Sequence, residues 1–221
     1  MKTAIALAVL TAAWVTARPS LAAEARFPKG AWSVGATGGV AFLRMGDVND
    51  QIRTLNGSTQ SLFEEIHHGG EWAGAIRYAV DDRFFVGLEA GGIRAHSKDP
   101  ASGRELVARG TPALVQAGVQ IDASDDVAVR AIGGLGALIH ARFEELEPGQ
   151  TGASMGRVEG TAALGYAGAE VEVRVSGGLG IQAQALLRAA LLQHPDGAPY
   201  DVDFSGGALR GGAQWTFGGR R

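Results

Sequence analysis

The chain has 221 residues, of which 34 are Gly and none is Cys, and its formal net charge is -3. Disulfides and cysteine-based metal or nucleophile chemistry are excluded, and the slightly acidic balance offers no basic surface for a nucleic-acid partner. Hydrophobic residues reach 46% and charged ones 19%, too apolar for a disordered chain, yet no uncharged apolar run attains the roughly 18 residues that a membrane helix needs.

Lys2, the apolar stretch from Ala4 to Val15, and Arg18-Pro19 ahead of small residues read as a secretory signal peptide over residues 1–23. Cleavage is expected after Ala22, Ala23 or Ala25. Loss of Lys2 and Arg18 leaves 18 basic against 23 acidic residues and takes the charge from -3 to -5. The remainder, 24–221, reads as one domain.

That remainder alternates with period two, the mark of strands whose faces meet different surroundings. From Ala31 to Leu43, Trp32, Val34, Val40 and Phe42 oppose Ser33, Gly35, Thr37 and Gly39. Trp72, Ile76, Tyr78 and Val80 then oppose Glu71, Ala73 and Arg77. Asp81-Asp82 makes a tight turn into Phe84, Val86 and Leu88, set against Gly87 and Glu89. From Thr111 to Asp122, Val115, Val119 and Ile121 oppose Leu114, Gln116 and Gln120. A fifth strand sets Val127, Val129, Leu135, Ile139 and Phe143 against Arg130, His140 and Arg142. In the sixth, Val158, Ala162, Leu164 and Tyr166 face away from Arg157, Glu159 and Thr161. The apolar set then switches to Val171, Val173 and Val175, which predicts a bulge near 167–169. Leu179, Ile181 and Leu187 oppose Gln182, Gln184 and Arg188, and barrel context overrides the local helix propensity of 182–192. Leu209, Trp215 and Phe217 oppose Arg210 and Gln214 in the last strand, with a second register break at Gly206-Gly207.

Eight strands joined by alternating short and long connections predict an all-β, eight-stranded antiparallel up-and-down transmembrane β-barrel, because a bilayer requires every backbone polar group to be paired. The abundant Gly suits the small interior of eight strands. A soluble lipocalin-like barrel is the competing fold, but it would need far more charge on its outer face. The signal peptide, the loop pattern, aromatic residues near strand ends (Trp32, Trp72, Phe84, Phe85, Tyr166, Trp215, Phe217) and the final stretch from Gly211 to Phe217 together resemble the small outer-membrane β-barrel superfamily, the OmpA-like and OmpW-like porin-family barrels. The resemblance implies the outer membrane of a Gram-negative-type bacterium, with periplasmic termini and surface loops. It also implies a monomer in contact with outer-membrane lipid and lipopolysaccharide. Two departures stand out: Gly218 to Arg221 follow the terminal aromatic residue, and no peptidoglycan-binding domain follows the barrel.

The lumen face is expected to carry a charge network of Glu71, Arg77, Glu89, Arg130, Arg157, Glu159, Arg188 and Arg210, joined by Arg142, Glu170, Glu172 and Arg174. Opposite charges in a narrow interior must pair or stay hydrated, so a salt-bridged plug is expected and a narrow porin-like channel is the alternative. His67, His68, His96, His140 and His194 all fall at the long-loop end, and Ser61 to Ile66 are expected to add a helical turn or lid. No cofactor, metal centre or catalytic set is expected. A lipid A-modifying enzyme using His96, Ser97 and Asp99, or His140 and Glu144, is a further alternative, although neighbours on a strand point to opposite faces. The expected role is structural or loop-mediated, toward an extracellular ligand that the sequence does not name.

Overall fold

The computed structural model describes residues 28–59, 61–124, 126–146, 157–198 and 200–218. The expected signal peptide and its cleavage site lie outside the described residues. The strands are β1 (Ala31–Leu43), β2 (His68–Ala79), β3 (Phe84–Lys98), β4 (Glu105–Ala123), β5 (Val127–Leu146), β6 (Val158–Ser176), β7 (Leu179–Ala189), the short β8 (Leu191–Leu192) and β9 (Val202–Asp203), and β10 (Gly206–Gly218), with one helix α1 (Gly46–Thr59) after β1. Eight of them close a barrel in which each strand is antiparallel to its neighbours, in the order β1-β10-β7-β6-β5-β4-β3-β2. β8 and β9 pair separately above it.

One end of the barrel has tight turns and the other has long connections. Gly177 and Gly178, both at positive φ, make the β6–β7 turn in a conformation that L side chains resist. In the β2–β3 turn, Asp81 Oδ1 accepts from the backbone N–H of Arg83 and of Phe84, each at 2.7 Å. The Arg83 and Phe84 amides hold this carboxyl below the usual aspartate range. A carboxyl so lowered stabilises the folded turn at and above ordinary aspartate pKa values, and that contribution is lost as the pH falls through the lowered value. Amide exchange at Phe84, corrected for intrinsic rate, is therefore expected to lose protection at acidic pH, and Asp81→Ala to remove that pH dependence. Unchanged protection in the variant would contradict the assignment.

The outer face of the lower barrel is apolar. Val34, Ile76, Leu88 and Leu135 are 48%, 40%, 59% and 76% exposed, whereas Arg77 and Arg130 are 2% and 1% exposed. Cross-strand pairing strings these side chains into one belt, Val34 to Ile76, Ile76 to Leu88, Leu88 to Val115 and Val115 to Leu135. Large apolar groups left outside while arginines are buried is the reverse of a water-soluble barrel, and it matches a wall immersed in acyl chains. Trp32, Tyr78, Phe84, Trp215 and Phe217 line its lower edge along β10, β1, β2 and β3, with the Trp32 and Tyr78 rings tilted by 52° and 5.0 Å apart. Phe85 and Tyr166, by contrast, turn inward and are buried. Each covers a glycine on the adjacent strand: a Cβ at Gly118 or Gly134 would meet the Phe85 ring at 2.3 Å or the Tyr166 ring at 2.7 Å.

Higher up, the two faces exchange character. β4, β5 and β6 run for 19, 20 and 19 residues, about twice the ten that a bilayer requires, so their upper halves stand in water. There the interior packs Ile93, Leu106, Leu138, Phe143, Val158 and Leu164, all buried, while Arg94, Lys98, Arg109 and Arg142 turn outward. A bulge in β5 helps the exchange: between Leu138 and Arg142, where His140 has φ of 49°, β5 holds one residue more than either neighbour, which shifts its register against both β4 and β6.

Three expectations are corrected. β6 has no bulge at 167–169, since its pairing with β7 holds one register from Gly165 to Arg174. Val158, Ala162, Leu164 and Tyr166 face inward in line with Glu170 and Glu172; the apparent flip is a change of environment along one face. β1 and β10 pair without a break from Ala31–Gly218 to Leu43–Gly206, so Gly206-Gly207 is no register break either. Finally, the helix covers Gly46–Thr59, and Ser61 to Ile66 return beside it without helical structure. Met45, Val48 and Ile52, spaced three and four residues apart, form the buried stripe that seats α1.

Candidate functional site

The lumen holds two tiers, ionic below and apolar above. In the ionic tier, Glu71 accepts from Arg188 Nη1 at 2.6 Å and Arg210 Nε at 2.5 Å, while Arg210 Nη1 donates to Glu89 at 2.7 Å and Tyr166 Oη donates to Glu89 at 3.1 Å. Lower down, Glu170 accepts from Arg77 Nη1 at 2.9 Å, Arg130 Nη1 at 2.7 Å and Gln184 Nε2 at 2.8 Å, and Arg130 Nη2 lies 2.5 Å from Glu172. The Arg77 guanidinium also sits 4.8 Å from the centre of the Phe85 ring.

Four arginines thus face four glutamates, so the tier is neutral if all are ionised. Each ion is compensated in a space that solvent barely reaches, which is the condition for burying it. Period two dictates the arrangement, for Glu71 and Arg77, Glu170 and Glu172, and Arg188 with Gln184 each share the inward face of their strand.

Of the eight residues expected in the network, Glu71, Arg77, Glu89, Arg130, Arg188 and Arg210 come together. Arg157 and Glu159 do not: they lie at the outer upper rim, ion-paired to each other, with His140 Nδ1 3.2 Å from Glu159. Arg142 is likewise on the outer wall, and Arg174 is exposed at the lower rim. The inverted polarity of the upper barrel explains Arg157 and Glu159, and the β5 bulge turns Arg142 outward although alternation would place it on the inward face with Arg130. Charged residues there seek the outside, whereas in the bilayer they must go inside. Tyr166, Gln116 and Gln214 complete the lower lumen, and their inward alternation with the apolar belt was the available signal.

The apolar tier is roofed by α1 and the segment after it. Asn49 clips α1 to the return segment, its amide donating to the Ile66 carbonyl at 3.1 Å and its oxygen accepting from the Ile66 N–H at 2.7 Å. Asn56 repeats the device on Phe63, at 2.8 and 3.0 Å. Met45, Val48, Ile52, Phe63, Ile66 and Phe204 are buried beneath, and Arg188 Nε donates to the Phe204 carbonyl at 3.0 Å, tying roof to network.

The other candidate groups are dispersed. His96 points outward and Ser97 inward, and Asp99 accepts from the Ala101 N–H and the Ser102 hydroxyl. His67, His140 and His194 are exposed beside Glu65, Glu159 and Asp201. Among the described residues, no group of three His, Asp or Glu side chains is placed to hold a metal.

A closed antiparallel barrel with an apolar belt, an aromatic lower edge and an ion-paired interior defines a small transmembrane β-barrel of the outer-membrane type. Among solved structures, the chain is similar in fold to Ail, the attachment invasion locus protein of Yersinia pestis, crystallised with the heparin analogue sucrose octasulfate (TM-score 0.50, 12% identity, covering 86% of this chain and 99% of that one). Similarity also extends to the outer-membrane protein OprG from Pseudomonas aeruginosa (TM-score 0.46, 12% identity, 88% and 99% covered) and to the outer-membrane protein AlkL (0.41, 13%, 91% and 95%). No protein-family model matches the sequence, and no curated protein matches it.

Proposed function

We propose that this chain is a plugged barrel of the outer membrane of a Gram-negative-type cell, acting through its extracellular roof and outer wall and not through its lumen. The observation that carries this reading is the pair of stacked obstructions, four mutually compensated arginine–glutamate partners in the bilayer and a dry apolar tier beneath α1. Either alone blocks the passage of hydrated ions through so narrow a barrel. The reading is non-enzymatic, since His96 and Ser97 lie on opposite faces of β3 and Asp99 is occupied within its own turn. In planar bilayers the refolded protein is expected to give no steady open level, and a large, stable conductance would overturn the plug.

One observation favours a second reading, sideways passage of apolar molecules through the wall. β3 and β4 keep one register from Ala90–Ala113 to Ile93–Gly110 but skip the two intervening steps, where Pro112 has no N–H to give. Uptake of an apolar dye into vesicles, compared between wild type and Pro112→Ala, separates this reading from the plug alone.

A further inference from the structure

We propose that the outer wall of β3, β4 and β5 carries a binding site for a phosphate-bearing lipid head group of the outer leaflet, built on Arg94, Arg109 and Arg142. The proposal rests on the outer-membrane reading and adds a ligand and a place. In the ladder, Arg94 lies directly opposite Arg109, and Arg109 directly opposite Arg142, so three guanidinium-bearing residues form one rung across three strands. Like charges directly opposite on a sheet repel, so such a rung asks for an anion.

The protein supplies only part of it. Two carboxylates serve three arginines: Glu105 lies 3.4 Å from Arg94, and Glu144 pairs closely with Arg109 while standing 3.6 Å from Arg142. The next residue on the rung, Glu159, is engaged by Arg157 and His140. The Nε–H groups of Arg109 and Arg142 are shielded from solvent and make no hydrogen bond with the protein, that of Arg142 standing 3.6 Å from Glu144, a state that ordinarily has a cause. Lys98 adds a further positive charge on the same wall.

The height of the rung selects the ligand. Below it the outer face is Trp72, Leu88, Val115 and Leu135, which meets acyl chains, and the arginines begin where this belt stops, at the level of lipid head groups. A groove of about 1450 Å³ runs down this wall from Glu64 and Glu65 at the top, past the arginines, to Val40 and Trp72. Glu65 is paired with Arg53 at 3.0 Å, so its charge is compensated at the rim, and the groove is cationic in its middle and apolar at its foot. An amphiphile with phosphates on its head and hydrocarbon beneath fits that order. Arginine forks take phosphate oxygens two at a time, and Trp72 offers a flat apolar floor.

The test uses the full chain folded in phosphatidylcholine nanodiscs doped with either bisphosphorylated lipid A or its dephosphorylated form, with retained lipid counted by native mass spectrometry. Each basic side chain near an anionic head group contributes about a fivefold gain, so the wild type is expected to retain the bisphosphorylated form at least about tenfold more strongly. The triple variant Arg94→Gln/Arg109→Gln/Arg142→Gln is expected to fall to parity, and Arg109→Gln alone to lie between. Should the triple variant not fold, as read by its heat-dependent migration on a detergent gel, the three single variants decide. Equal retention of both lipids by the wild type, or a preference that survives the substitutions, would overturn the site. Displacement of the lipid by excess inorganic phosphate would overturn the assignment to a lipid in favour of a free anion. A conducting lumen would refute the plug and leave this outcome untouched.

Discussion

Leu135→Arg is expected to destabilise the protein by about 2–4 kcal/mol when it is folded in a bilayer, although Leu135 is 76% exposed. In a soluble barrel the same change would cost little, because surface substitutions away from special features usually fall within about 0.5 kcal/mol. Leu135 sits in the middle of the cross-strand belt, opposite Val115 and Gly165. Ile121, 66% exposed near the tight-turn end, provides the depth control, since arginine near the interface costs only about 0–1 kcal/mol. Urea unfolding of vesicle-embedded protein, followed by tryptophan fluorescence, gives both numbers. Equal and negligible costs at the two positions would take the belt out of the membrane.

Glu170→Gln is the second large effect, expected to cost about 3–5 kcal/mol because it leaves buried arginines without their counter-ion. Glu170 is fully buried and serves both Arg77 and Arg130, so the neutral amide turns a balanced tier into one with excess positive charge. A double variant Arg77→Gln/Glu170→Gln is expected to be less destabilised than the sum of its two single variants, with a coupling on the order of 0.5–3 kcal/mol. Strict additivity in the same unfolding measurement would mean that the two groups do not act as a unit. The variant also tests the obstruction, because any opening of the lower lumen shows as new current in the bilayer assay.

Within the bilayer, most of the fold was legible from alternation, the bulge expected at 167–169 and the outward placement of Tyr166 being the exceptions. The lipid-facing identities of Val34, Ile76, Leu88, Val115 and Leu135 and the lumen positions of Arg77, Arg130, Arg188 and Arg210 all follow from period two plus the rule that charge avoids acyl chains. The same rule misplaced Arg157 and Glu159, because alternation reports that two faces differ and does not say which one is inside, and it misplaced Arg142 because the β5 bulge breaks the alternation itself. Once β5 and β6 rise out of the membrane, water is the outer medium and the sign of the rule reverses. Phe143 and Val158 then belong within, and the charged residues beside them belong without. The roof was hidden for a different reason. Its helix presents only Val48 and Ile52, with Met45 just ahead of it, in a polar stretch, and the asparagine clips join residues 17 and 7 positions apart, beyond the reach of a local pattern.

The three-arginine rung was invisible for a reason that lies between these two. Arg94, Arg109 and Arg142 belong to different strands, and only the observed register, with the β5 bulge between Leu138 and Arg142, brings them level.

The seam between β1 and β10 has a consequence for how the molecule is made. Its thirteen paired steps join Ala31 to Gly218 and Leu43 to Gly206, nearly the two extremes of the described chain. Contacts of such long sequence separation form late and slowly, since the entropy of closing the largest loop must be met before they contribute. Until the thirteen residues of β10 have been delivered, every nascent form is an open curved ribbon with two raw borders, and those borders are surfaces on which a chaperone or a neighbouring ribbon can add a strand.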